Sequence, residues 1–585
     1  MSALAVSSSV VSPKAVSTVI ASGRVELANI RQRLLLTAKW RVLWVAMAFA
    51  LVALAALLRI CLFGLLGQAT VRQDMASALL PVRGDIVDRN GVPLARAFPA
   101  YALWYNPAAL GGDGPPLVRP ASEVAAALVR IFPEENQAEL TARLASGRPG
   151  YLRRRILPED ANRIHALGEP ALEFPRENER FYPQGSMASH VLGFVGADGM
   201  GHVGMEQVFN RQLTDPTMRG TPAMLSIDAR VQGALEDELG RGMLESNAKG
   251  AAGIILDVDT GEVLALASLP SFNPNLIDTA STGNIFNRVT NQVYELGSSF
   301  KPIAIAAAID AGVVTDMGKR YQSSRPLNVS GFEIRDSHSF GASLNVPEAL
   351  IHSSNIVTAQ IADQLGGARL KATMRSLGMN ERPYIELPAK GFPLWPKGDW
   401  SRITTMTVSY GHGIAVTPLH LASAYAAMVN GGIWRPATLE KVKPGHAAAG
   451  RRVWKASTSA RMRQLLRLIV DLGTGRKANA PGFRVGGKTG SAEKPGAGGY
   501  RRSSLVATFA AAFPMDQPRY VVIAMLDEPQ GTAATSGQRT AAFNAAPVVG
   551  RVVPRIGPLL GVMPDATRDV DITDLAPLIS SGDGE

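Results

Sequence analysis

Gly297-Ser298-Ser299-Phe300-Lys301-Pro302, running into the apolar stretch Ile303–Ala311 and stopped at Gly312, decides how this 585-residue chain is read. The apolar run predicts a helix that opens near Ser298. Pro302 belongs in a first turn, where N–H groups have no intrahelical partner. Ser298 and Lys301, three residues apart, then share one face. A helix N-terminus favours negative charge developing at Ser298. Gly297 removes a side chain where a substrate backbone must approach. A serine hydroxyl needs a base to become a nucleophile, and Lys301 is such a base only when neutral. Its pKa must fall from about 10.4 to about 7–8, roughly 4 kcal/mol of differential stabilisation. Burial and a second nearby cation both push that way.

Two further short motifs follow in order. Ser353-Ser354-Asn355 lies on a separate helix-like stretch, Val346–Leu365, where Ser353 and Asn355 can relay a proton and hold a substrate amide. Lys488-Thr489-Gly490-Ser491 follows Val485-Gly486-Gly487 in a strand-like run. Lys488 is the candidate second cation. Glycines in such a run suggest close backbone approach at an exposed edge, where an extended peptide adds as another strand. Lys488, Thr489 and Ser491 suit a terminal carboxylate, and the backbone N–H groups of Ser298 and Ser491 suit an oxyanion. No motif is specific alone. Ser246–Lys249 and Ser491–Lys494 are also S-x-x-K strings, and Ser271–Asn273 and Ser343–Asn345 are also S-x-N strings. Context separates them: Ser246–Lys249 ends before Gly250 and opens no apolar helix.

Working outward, Ile254–Val258 and Val263–Ala267 read as a hairpin across Asp259-Thr260-Gly261-Glu262, and Val506–Phe513 with Tyr520–Leu526 as a second strand pair. Helix-like stretches lie between them, with Pro418–Val429 the clearest. Ala541–Leu560 reads as a closing helix interrupted at Pro547 and Pro554. This order implies an α/β (α+β) domain over 226–565, an antiparallel sheet flanked by helices. Residues 68–225 are rich in Arg, Pro and Gly and form a separate, less regular domain. The acidic tail 566–585 is expected to be disordered. The Arg153-Arg154-Arg155 run is a solvated face, with acidic lipid or glycopeptide as the alternative partner. Tyr500 and Arg501-Arg502, past the Lys488 strand, either reach an acidic substrate or form an exposed loop.

Of the net charge of +11, +5 falls in residues 1–41, from Lys14, Arg24, Arg31, Arg33, Lys39 and Arg41 against Glu26. That asymmetry fits membrane topology rather than nucleic-acid binding. Val42–Leu58 is apolar, Arg59 interrupts, and Ile60–Gly67 is apolar again. The expected arrangement is a basic cytoplasmic tail over 1–41, one transmembrane helix over 42–67 and everything beyond outside. A cleaved signal peptide fits less well, since the preceding region is too long and no small-x-small site follows. The single cysteine, Cys61, excludes an intrachain disulfide and a Cys-based zinc site. The eight histidines contain no H-x-x-x-H pair.

The three motifs together resemble a class B penicillin-binding protein, over roughly residues 40–565. The likeness extends to Arg83-Gly84-Asp85-Ile86-Val87-Asp88-Arg89-Asn90-Gly91, Arg180-Phe181-Tyr182-Pro183 with His190 and Gly193, and Gly204-Met205-Glu206. It continues through Asp257–Pro274, Asp336-Ser337-His338 and Tyr410-Gly411 to Leu419. The resemblance implies a penicillin-recognising serine transpeptidase domain on an elongated, membrane-proximal pedestal of the dimerisation type. It implies that Arg83, Asp85, Asp88, Arg89 and Glu206 are structural. Within the class, Ser409-Tyr410-Gly411-His412-Gly413 and Gly473-Thr474-Gly475 make the chain most similar to the division-specific, septal branch. An elongation-type class B enzyme is the alternative.

The reaction implied is acyl transfer. Ser298 attacks the carbonyl between two terminal D-alanines of a peptidoglycan stem peptide, and an amine of a neighbouring stem resolves the acyl-enzyme. β-Lactams acylate the same serine, and no cofactor is needed. The implied partners are a septal glycan polymerase of the shape-elongation-division-sporulation family and other membrane division proteins, at the bacterial cytoplasmic membrane with the catalytic domain in the periplasm. Leu296 departs from the family's usual Pro, and Ser491 from its common Thr. A β-lactamase or β-lactam sensor needs no pedestal motifs. A bifunctional polymerase needs a glutamate-rich motif after the anchor that this chain lacks. A division scaffold without turnover needs none of the complete set Ser298, Lys301, Ser353, Asn355 and Lys488.

Overall fold

The computed structural model describes residues 39–40, 43–59, 83–111, 114–196, 198–218, 220–277, 281–496 and 499–579. It separates into two units, Met1–Leu80 and Pro81–Glu585. In the first, residues 39–40 and 43–59 are helical. Among the described residues no helix is long and apolar enough to cross a membrane. Residues 42 and 60–67 of the expected anchor lie outside the described residues.

The second unit begins with a six-stranded sheet: β1 (Ile86–Val87), β2 (Pro93–Tyr105), β3 (Gly150–Ile156), β4 (Leu172–Glu173), β5 (Arg176–Phe181) and β6 (Ala223–Met224). β2 pairs antiparallel with β1, β3, β4 and β5, while β1 and β6 run parallel. Helices α1 (Ala121–Ile131), α2 (Gln137–Ala145) and α3 (Pro158–His165) close a small core with Leu103, Tyr105, Leu128, Leu144 and Ile164. The Arg153 run lies in β3, where Arg153 pairs with Glu134 at 2.6 Å and Glu135 at 2.7 Å.

The resemblance motifs hold this region together. Glu206 is fully buried and takes ion pairs from Arg83 at 2.6 Å and Arg180 at 2.6 Å, and the Tyr182 hydroxyl lies 3.3 Å away. Asp88 accepts N–H groups from Asn90 and Val92 in its own turn and from Ala229 beyond it, at 3.0 Å. Arg89 meets Glu262 at 3.5 Å, and Asp85 meets Arg96 at 3.0 Å. These side chains join elements far apart in sequence.

The remainder is built on a five-stranded antiparallel sheet. α4 (Ala229–Glu245) precedes β7 (Gly250–Asp257) and β8 (Val263–Leu269). The helical middle contains α5 (Lys301–Asp310), α6 (Val346–Ile351), α7 (Asn355–Leu365), α8 (Pro418–Val429) and α9 (Ala456–Asp471). β9 (Gly486–Gly496), β10 (Gly499–Phe513), β11 (Tyr520–Asp527) and α10 (Ala545–Ile556) follow. The strand order is β9-β10-β11-β7-β8. Alternation along β11 sorts the two faces: Val522, Ala524 and Leu526 pack with residues of α4 and α10, and Val521, Ile523 and Met525 with residues of α5, α8 and α9.

Four local expectations are corrected. Val346–Leu365 is two helices, broken at Ser353, whose φ is +62°. Ser298 sits in a 3-10 turn, Gly297–Phe300, that runs into α5, and not in the α-helix itself. In such a turn residues i and i+3 eclipse, so Ser298 and Lys301 still share a face. Pro547 falls in the first turn of α10 and causes no break, and only Pro554 lies deep in the helix. Residues 566–579 of the tail are ordered. Leu575 is fully buried, Asp569 pairs with Arg467 at 2.8 Å, and the Asn345 amide donates to the Leu578 carbonyl at 2.6 Å. The acidic composition reads as solvation in sequence, but these carboxylates meet the basic face of α9.

Candidate active site

The Ser298 turn and β9 touch through glycines. A Cβ at Gly297 would lie 2.6 Å from the Ser491 carbonyl, and one at Gly490 would lie 2.3 Å from the Leu296 carbonyl. Gly297 also has a φ of +55°, which an L side chain resists. The two backbones therefore approach closely enough for the Ser298 and Ser491 amides to border one cleft. That cleft, about 640 Å³, is lined by Ser298, Ser353, Asn355, Thr474, Thr489 and Ser491.

Lys301 and Lys488 lie beneath it, both fully buried. The Lys301 ammonium donates to the Ser353 carbonyl and, at 3.1 Å, to the Ser353 hydroxyl. Burial drives its pKa well below the usual lysine value, the Lys488 charge adds to the fall, and the Asp336 carboxylate opposes it. Lys488 donates to the Thr489 carbonyl and hydroxyl, both at 3.0 Å, and burial lowers its pKa to about 7. The Thr489 hydroxyl continues to that of Thr474 at 2.8 Å. The Asn355 side-chain amide donates to the Arg335 carbonyl at 2.9 Å. The Ser491 hydroxyl accepts the Ala541 N–H at 3.0 Å, so serine at this position keeps a structural use for its oxygen.

All eight sequence-predicted residues thus come together. Ser298, Ser353, Asn355, Thr489 and Ser491 face the cleft, the two lysines underlie it, and Gly490 lets the strand meet the turn. The competing tetrads do not assemble. Ser246 is buried and donates to the Gly242 carbonyl at 2.7 Å, and Lys249 pairs with Glu528. Lys494 pairs with Glu528 at 3.0 Å. Sequence reading missed Phe340, His352, Arg476, Gln538, Thr540 and Phe543, which complete the cleft. Phe340 and His352 stack at 4.8 Å. None of these carries a spacing signal, because loops, turns and one short 3-10 helix from four separate segments supply them. The Tyr500 hydroxyl meets the Glu295 carboxylate at 3.0 Å rather than hanging free.

The family model for the penicillin-binding protein transpeptidase domain matches residues 251–547, and the one for the penicillin-binding protein dimerisation domain matches residues 78–217. The chain belongs to the penicillin-binding protein transpeptidases. It is 40% identical over 494 residues to the probable peptidoglycan D,D-transpeptidase FtsI of Caulobacter vibrioides, covering 82% of each chain. It is 30% identical over 526 residues to peptidoglycan D,D-transpeptidase FtsI of Escherichia coli K12, covering 86% of this chain and 87% of that one. The fold is that of penicillin-binding protein 3 from Mycobacterium tuberculosis complexed with ampicillin, with a TM-score of 0.65 and 24% identity over 84% of this chain and 98% of the other. Leu296 is buried, and its carbonyl accepts the Ser299 hydroxyl at 2.8 Å.

Proposed function

We propose that the chain is a septal peptidoglycan D,D-transpeptidase working through a Ser298 acyl-enzyme. The observation that carries this reading is the fully buried Lys301 beside the Ser353 hydroxyl, with a second buried lysine that helps to keep it neutral. Neutral Lys301 takes the Ser298 proton, directly or through Ser353, as Ser298 Oγ bonds to the carbonyl of the penultimate D-alanine. The backbone N–H groups of Ser298 and Ser491 stabilise the oxyanion. Asn355 holds the peptide amide. Thr489 and Ser491 hold the terminal carboxylate, with the Lys488 amine behind them on Thr489. The peptide C–N bond then breaks, and the departing D-alanine amine takes the proton back. A stem-peptide amine attacks the ester, the bond to Ser298 breaks, and its oxygen regains a proton. β-Lactams acylate Ser298 in the same geometry.

The septal assignment is supported by the two FtsI relatives. The basic segment before residue 42 supports a single-pass anchor over 42–67, with the N-terminus in the cytoplasm and the catalytic domain in the periplasm. A septal glycan polymerase of the shape-elongation-division-sporulation family and other membrane division proteins are the partners that fit this placement.

The test is fluorescent-penicillin labelling of the full-length chain, followed by gel and mass spectrometry, with Ser298→Ala and Ser246→Ala beside the unmodified sequence. Stable label lost in Ser298→Ala and kept in Ser246→Ala is expected. Label that survives in Ser298→Ala overturns the nucleophile, and label that clears within seconds points to a β-lactamase.

A further inference from the structure

The break between α6 and α7 is what brings Ser353 to Lys301, and one carboxylate holds it from the far side. Asp336 accepts the Ser354 hydroxyl at 2.6 Å, the Ile356 N–H at 3.1 Å, and the Asn355 N–H. It therefore takes three donors from consecutive residues at the opening of α7, where a negative charge suits the helix dipole. On the near side the break is tied to α6, by the Ser354 N–H to the Ala349 carbonyl at 2.8 Å and the Ser353 N–H to the Leu350 carbonyl at 3.3 Å. Ser353 is caught between these anchors in a left-handed conformation that a serine leaves unless its surroundings hold it. In that conformation both its carbonyl and its hydroxyl meet the Lys301 nitrogen.

We propose that Asp336 is a positioning residue for acyl transfer, gripping Ser354, Asn355 and Ile356 so that Ser353 stays seated on Lys301. The proposal rests on Lys301 as the base. Asp336 has a second effect that a neutral helix cap lacks. The charged groups around Lys301 are Lys488 from β9, Asp336 from the loop before α6, and His412, which burial keeps low. Asp336 is the group among them that favours the protonated amine. Removing its charge lowers the pKa of Lys301, so the neutral base persists to lower pH.

The experiment measures the second-order rate of penicillin acylation of the full-length chain against pH, per folded protein, for Asp336→Asn, Asp336→Glu, Asp336→Ala and Ser354→Ala. In Asp336→Asn the acid limb is expected to move to lower pH and the plateau to fall about tenfold. Asp336→Ala should lose 100-fold or more, and Asp336→Glu should recover part of that loss. Ser354→Ala removes the neutral cap and should lower Tm with the acid limb unmoved. An unmoved limb and plateau in Asp336→Asn, or an equal shift in Ser354→Ala, would make Asp336 an ordinary cap and overturn the proposal. An unmodified chain that labels at Ser298 with no acid limb removes Lys301 as base and the proposal with it. An unmodified chain that does not label at Ser298 fails the transpeptidase reading itself.

Discussion

The Lys301 nitrogen lies 3.1 Å from the hydroxyl of Ser353, a residue whose backbone is held at a φ of +62°. The same side chain also donates to the Ser353 carbonyl, so lysine and backbone twist are parts of one arrangement. Two substitutions separate them. Ser353→Ala and Ser353→Gly both remove the hydroxyl and should both lower acylation by 100-fold or more. Glycine tolerates the left-handed backbone, so Ser353→Gly should be about 1 kcal/mol more stable than Ser353→Ala in urea unfolding.

Lys488 is buried with a pKa lowered to about 7. Below pH 7 both folded and unfolded chains carry this proton, and the folded state bears the full cost of a buried charge. As pH rises from about 7 towards 10.4, the folded state releases the proton first, so the cost fades. Lys488→Met should therefore raise Tm at pH 6, and the gain should disappear by pH 10. Acylation should fall at least 100-fold at either pH. Thermal melts against pH check the sign.

Gly297 has no room for a side chain, since a Cβ would sit 2.6 Å from the Ser491 carbonyl. Gly297→Ala should push the Ser298 turn off β9 and cost on the order of 2–4 kcal/mol. Penicillin labelling of the folded fraction should drop by 100-fold or more, because the two backbone donors no longer face one point.

Glu206 holds two guanidinium groups, Arg83 and Arg180, in a buried site. Glu206→Ala leaves both charges unpaired and should destabilise the chain by about 3–5 kcal/mol. The fraction that stays folded should acylate at the unmodified rate. A selective loss of rate in folded protein would move Glu206 from a structural role to one linked with the site.

Arg467 is 9% exposed and bonds Asp569, and Arg461 bonds Asp574. Removing residues 566–585 uncovers the pocket around Leu575 and strands the Arg467 charge. The truncated chain should melt several degrees lower, and differential scanning fluorimetry would show it. An unchanged Tm would return this segment to the disordered state that its composition suggests.

Much of this was legible in the sequence because it is written in local patterns. The apolar runs around Ile255 and Ile523 are short, bounded by turn signals and read as buried strands, and Pro418 behind Thr417 marks a helix start that the structure reproduces with a capping box. The three motifs named residues that the structure brings to one cleft, because the side chain types and spacings that carry them are local. What escaped depends on contacts distant in sequence. The break at Ser353 follows from Asp336 and Lys301, neither of which is near it in sequence, so helix propensity ran straight through it. The ordered tail was missed because its carboxylates are matched by arginines about 100 residues away. The far wall of the cleft, with Phe340, Gln538 and Phe543, is supplied by loops without periodicity.

The hydrogen bond from Asn345 to the Leu578 carbonyl spans 233 residues and ties the late segment to the residue that caps α6, the helix leading into Ser353. A ribosome must therefore have delivered residue 578 before this anchor can form. Translation thus supplies Ser298 long before it supplies the segment that braces the start of α6.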